Sequence, residues 1–117
     1  MKAKTELDNA LTFAERIKDK KGENILVLDI QAKGAITDYL VLSSVESMAQ
    51  TRAIADDLQI HARNKMKRSA VRVGQADSDW VILDMGTIVI HIMEKSLREY
   101  YDLEELWSQG GTTAYHI

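Results

Sequence analysis

A few residues in this chain could do chemistry, and their spacing tests each possibility. Asp77 and Asp79 have the Asp-x-Asp spacing that holds a divalent metal for phosphoryl transfer. Their polar neighbours place them in a loop, where solvated carboxylates are the plainer reading. His61, His91 and His116 show no zinc spacing, and no Cys is present to complete a ligand set. Without Cys there is also no thiolate nucleophile and no disulfide framework. Ser43-Ser44 lacks the glycine elbow of a serine hydrolase. Neither of the two common glycine-rich phosphate-binding fingerprints occurs. Tyr100, Tyr101 and Trp107 sit among acids, a poor platform for stacking single-stranded bases. One pair remains, Asp84 and His91, and whether the two meet depends on the strands that carry them.

Those strands are legible. Trp80–Met85 and Ile88–Met93 are apolar runs separated by Gly86-Thr87. A two-residue connection with glycine first predicts a type II′ hairpin. Asp84 then pairs with Val89, Ile82 with His91 and Trp80 with Met93. Directly paired residues share a face. One face carries Val81, Leu83, Met85, Ile88, Ile90 and Ile92 and must lie against the core. The other carries Trp80, Ile82, Asp84, Val89, His91 and Met93. On this register Asp84 and His91 are diagonal neighbours within reach of a hydrogen bond. The plain reading is that Asp84 orients His91, because no nucleophile or metal signature accompanies them. The whole face is more informative. It is too apolar for a plain solvated surface, and a patch of that kind marks an interaction site, with Trp80 a natural anchor.

The remaining elements follow from periodicity. Leu7, Ala10, Leu11, Ala14 and Ile17 form one stripe of a helix over 5–21, with Gly22 as its C-terminal cap. Residues 24–31 predict a strand apolar on both faces, and 39–45 a second strand. Ser47 and Gln50 form a capping box for a helix burying Ile54, Ala55, Leu58, Ala62 and Met66. Residues 70–74 make a short strand. Ser96 with Glu99, and Asp102 with Glu105, read as further helix starts, and residues 108–117 as a flexible tail. The order predicts a single α/β domain over 1–117, a mixed sheet of about five strands with helices on one face.

The chain has 117 residues, 45% of them apolar, enough for one core. No apolar run is long enough to span a membrane. The N-terminus lacks the apolar centre of a signal peptide, so the expected compartment is the cytoplasm. The net charge of −3 argues against a strongly basic nucleic-acid binder. It is unevenly spread: residues 48–68 carry +3 and residues 94–107 carry −3. The acidic segment reads as a solvated face or as a docking surface for a basic partner.

The segment Asp79–Asp84, the turn at Gly86, the block Ile88–Ile92 and the run Arg98–Trp107 resemble the ribosomal silencing factor family, also called Iojap. Leu28-Asp29-Ile30, Thr37-Asp38-Tyr39 and Ala53-Ile54-Ala55-Asp56 follow in the family's order. The resemblance covers residues 6 to 107. Two departures stand out. Ser44–Gln50 lacks the glycine and histidine the family often has before its second helix, and Gly86-Thr87 replaces a common Gly-Asp.

The resemblance implies a fold related to nucleotidyltransferases without their active site, and no cofactor. It implies binding to the large ribosomal subunit through ribosomal protein fourteen of that subunit. That would block joining of the small subunit and repress translation when nutrients are short. The expected docking sheet is Trp80, Ile82, Asp84, Val89, His91 and Met93. Arg98, Tyr101, Asp102, Glu105 and Trp107 would form its rim or its support. Ribosomal proteins are commonly basic, so the main contact would be with protein and little with nucleic acid. Two other readings stay open. The apolar face could serve a homodimer, or Asp77, Asp79 and Asp84 could hold a metal in a degenerate nucleotidyltransferase.

Overall fold

The computed structural model describes residues 5–31, 37–74, 78–101 and 113–117. Its elements run α1 (Glu6–Asp19), β1 (Glu23–Asp29), β2 (Tyr39–Val45), α2 (Met48–Lys65), β3 (Val71–Val73), β4 (Trp80–Asp84), β5 (Ile88–Glu94), α3 (Lys95–Tyr101) and β6 (Thr113–His116). They build a six-stranded sheet in the order β3-β4-β5-β2-β1-β6. All neighbours are antiparallel except β2 and β5, which are parallel. A parallel pair needs a long crossover, and α2 with β3 and β4 supplies it. β2 and β5 lie in the middle of the sheet, which is why every residue of β2 is buried.

The sheet has one strand more than the sequence pattern suggested. Thr113–His116, expected to be part of a tail, pairs with β1 through Leu26↔His116 and Leu28↔Ala114. Four short residues carry little periodicity, and pairing with a strong neighbour overrides that weak local signal.

α1 and α2 cover one face. Val27, Val41, Val45, Val81, Leu83, Ile88, Ile90 and Ile92 meet Ala10, Phe13, Ala14, Ile17, Ile54, Ala55, Leu58 and Ala62 there. Phe13, outside the expected α1 stripe, is fully buried. Arg16 clamps the helices together with Nε and Nη2 on the two carboxylate oxygens of Asp57 (2.9 and 2.8 Å). These bonds hold the Asp57 carboxyl below its usual range, against the opposing effect of burial.

Caps fix the helix ends. Thr5 Oγ1 accepts from the Asp8 N–H while the Asp8 carboxylate accepts from the Thr5 N–H, both at 3.1 Å. Ser47 Oγ accepts from the Gln50 N–H (3.1 Å). The Gln50 amide in turn donates to the carbonyls of Lys20 and Lys21, tying the end of α1 to the start of α2. At that end the expected roles shift by one residue. Lys21 adopts the left-handed conformation (φ +71), and Gly22 donates to the Ile17 carbonyl at 2.9 Å. Glycine is needed at 22 for space: a Cβ there would sit 2.3 Å from Ile17 Cγ2 and 3.0 Å from Ile17 O.

Gly22→Ala should therefore destabilise the fold by about 1–3 kcal/mol through forced displacement of the α1 end. Equilibrium urea unfolding checks this, and an unchanged midpoint would contradict the close-approach argument.

Candidate docking face

The hairpin forms in the expected register, with Trp80↔Met93, Val81↔Ile92, Ile82↔His91, Leu83↔Ile90 and Asp84↔Val89. Met85 N–H donates to the Ile88 carbonyl (2.9 Å) across the turn. Gly86 holds φ +84, and the Thr87 N–H donates to the Met85 carbonyl (3.1 Å), an i→i+2 bond that makes the bend tighter than the expected type II′ turn. The turn is anchored from outside. Arg68 Nη2 donates to the Met85 carbonyl (3.2 Å) and to Thr87 Oγ1 (2.9 Å), and Nη1 reaches the Glu6 carboxylate at 2.7 Å. Thr87 Oγ1 also donates to Glu6. Burial alone would raise the Glu6 pKa, but the hydrogen bonds from Thr87, Arg68 and Asn9 and the Arg68 charge outweigh it and lower the pKa.

The face away from α1 and α2 divides into two halves. On β1 and β2, Leu26, Leu28, Ile30, Leu40 and Leu42 form a second buried cluster. On β3, β4 and β5 the face is less completely covered. Trp80, Ile82, Val89 and His91 are half-buried and Asp84 is exposed. Val71 and Val73 of β3, which pair with Asp84 and Ile82, are 60% and 53% exposed. These two valines extend the patch and were missed in the sequence reading. The alternation Val71-Arg72-Val73 was their signal, but a three-residue strand does not reveal which neighbour it will join.

Met93 and Arg98 are placed differently from a contact surface. Met93 is 1% and Arg98 7% exposed. Arg98 Nη1 donates to Ser44 Oγ (3.1 Å) and to the Asn24 carbonyl, so it ties α3 to the ends of β1 and β2. Parity puts Met93 on this face, but Ser44, its partner on β2, lies on the side where α3 crosses. Both residues lie at the end of this face that α3 crosses, and neither is open to a partner. The side chain of Tyr101 and all of Asp102, Glu105 and Trp107 lie outside the described residues, as does Asp77.

Asp84 and His91 do not pair. Asp84 Oδ1 accepts from the Gly86 N–H (2.8 Å), held by the turn it precedes. His91 uses its other diagonal neighbour: Trp80 Nε1–H donates to His91 Nδ1 at 3.1 Å. An accepting Nδ1 requires the neutral ring with its proton on Nε2. The other candidate groups are dispersed. His61 packs edge-on against Phe13, and His116 is on β6. Ser43 Oγ donates to the His91 carbonyl (3.1 Å), so both serines serve packing. Among the described residues no group of three or more His, Asp or Glu could hold a metal, and no helix is long and apolar enough to cross a membrane.

Burial pushes the His91 pKa from 6.5 down to about 4. Between those values the unfolded chain binds a proton that the folded chain does not, so this contribution to stability is complete above pH 6.5 and is lost as pH falls toward 4. It amounts to about 3 kcal/mol at most. His91→Asn keeps an acceptor near Nδ1 without the titration. The stability difference, wild type minus variant, should shrink on acidification through that window; parallel pH–stability curves would refute it.

Comparison with known proteins bears on what such a face does. The family described as "Ribosomal silencing factor during starvation" matches residues 3–116. The ribosomal silencing factor of Haemophilus influenzae is 32% identical over 94 residues, covering 80% of this chain and 92% of the relative. The mouse "Mitochondrial assembly of ribosomal large subunit protein 1" is 29% identical over 109 residues, covering 91% of this chain and 46% of its own length. A crystal structure of a Chromobacterium violaceum protein superposes with a TM-score of 0.75 at 28% identity, covering 91% of this chain and 89% of that one. On the family match across nearly its whole length, the chain belongs to the ribosomal silencing factor family.

Proposed function

We propose that this protein binds the large ribosomal subunit through the less covered half of its sheet and blocks joining of the small subunit, repressing translation under nutrient limitation. The observation that carries this reading is the asymmetry of the second face. Its β1–β2 half is buried, while its β3–β5 half leaves Trp80, Ile82, Val89, Val71 and Val73 accessible to a partner. A half-exposed tryptophan among aliphatic side chains is the make-up of an interface hot spot. The family's name and the mouse relative's name support a ribosomal partner and the large subunit.

The docking partner proposed within that subunit is ribosomal protein fourteen. The exposed Asp84 carboxylate and the −3 charge of residues 94–107 have the right sign for a basic ribosomal protein. The mechanism is steric exclusion in the cytoplasm, set by affinity and concentration. It needs no catalytic group, metal or cofactor. The uncovered valines of β3 favour a second use of the same face, self-association, which would compete with docking.

Cosedimentation tests the reading. The wild type should pellet with isolated large subunits and not with assembled ribosomes. Trp80→Ala and Ile82→Asp should each weaken binding by about 30-fold or more, the cost of losing a hot spot, while retaining cooperative thermal unfolding. Wild-type binding by folded variants would eliminate this face. Light scattering with and without large-subunit protein separates self-association from docking.

A further inference from the structure

The basic segment 48–68 is only partly explained by its helix. Cations in the last turn of α2 complement the macrodipole. Arg68 is turned away toward Glu6 and the hairpin turn. Arg63, in that last turn, and Lys67, just beyond it, are both exposed, and among the described residues neither takes part in an ion pair. Together with Gln59, Arg68 and Ser69 they line a cleft of about 320 Å³. Lys67 holds a left-handed backbone (φ +58), a conformation that a glycine would adopt with less strain.

Of the nearby carboxylates, Glu6 offsets Arg68 in the lining, and Asp56 shares an adjoining cleft with Arg63; none forms an ion pair with Arg63 or Lys67. Asp57 is held by Arg16, Asp56 by Arg72 and Glu6 by Arg68. Asp84 is on the opposite face of the sheet, because Val81 and Leu83 of the same strand point to the helices. The cleft opens on the helix side of the β3 edge, around that edge from the docking face. Ala70 lines it, the Gln59 amide donates to the Ala70 carbonyl (3.0 Å), and the next residue is Val71, the outermost exposed residue of the patch. A partner as large as a ribosomal subunit, covering Val71 and reaching around the β3 edge, would meet the cleft mouth.

We infer that Arg63 and Lys67 grip a backbone phosphate of ribosomal RNA beside the docked protein. This rests on the proposed docking to the large subunit and adds an RNA contact to it. A guanidinium and an ammonium across one cleft suit a phosphodiester, the guanidinium taking two oxygens and the ammonium acting as a point charge. Such a contact supplies affinity and register without reading sequence.

The test is the salt dependence of binding to purified large subunits, for the wild type and for the double variant Arg63→Gln/Lys67→Gln. Each lost phosphate contact should lower the slope of log K against log salt by about 1. The variant is expected to have a slope smaller by about 1 and to bind several-fold more weakly at low salt, with unchanged thermal stability. An unchanged slope with intact subunit binding overturns the RNA contact alone. The same loss of slope against the isolated, RNA-free ribosomal protein also overturns it, since the cations would then be meeting acidic side chains. If the wild type does not bind large subunits at all, the docking proposal itself fails, and this inference with it.

Discussion

Much of this architecture hangs on the two-residue turn at Gly86-Thr87. Side chains alternate along a strand, so a slip of one residue would move Ile88, Ile90 and Ile92 out of the core and bring His91 and Val89 in. The turn fixes the pairing Asp84↔Val89, and everything beyond it follows by alternation. The molecule fastens this point from three directions. Gly86 supplies the positive φ, Asp84 accepts from its N–H, and Arg68 with Glu6 ties the turn to α1 and to the segment after α2. The sorting of apolar residues into a core face and a partner-facing one is thus set by a few polar contacts at the sheet's end.

The elements with strong period were readable from the residues alone. The β4–β5 pairing, the Ser47 cap and the Ile54–Leu58–Ala62 stripe all follow from local pattern and turn chemistry. What could not be read was set by contacts distant in sequence. β6 exists because β1 offers it an edge. Gly22 matters for its missing Cβ and not its φ, which only the packing of Ile17 reveals. At the candidate site, parity correctly placed Trp80, Ile82, Asp84, His91 and Met93 on one face. It could not say that α3 crosses one end of that face through Arg98, leaving Met93 buried. Nor could it choose between two diagonals for His91, which Trp80 and not Asp84 occupies.

The two halves of the second face have different tasks. The β1–β2 half uses leucines and an isoleucine to make a second core. The β3–β5 half adds Trp80 and His91 to its aliphatic side chains, with the indole N–H paired to His91 Nδ1. A partner meeting that half finds its main polar group already satisfied, so burial there would cost little in lost hydrogen bonds.

β3 sits at the border of the sheet with one side of its backbone unpaired and two valines outward. Such a border is a template on which another chain can add a strand, the usual seed of aggregation. Here it is only three residues long, preceded by the cations Lys67 and Arg68 and closed by Gly74 at φ +116. Brevity and like charge keep copies from stacking edge to edge while the valines stay available.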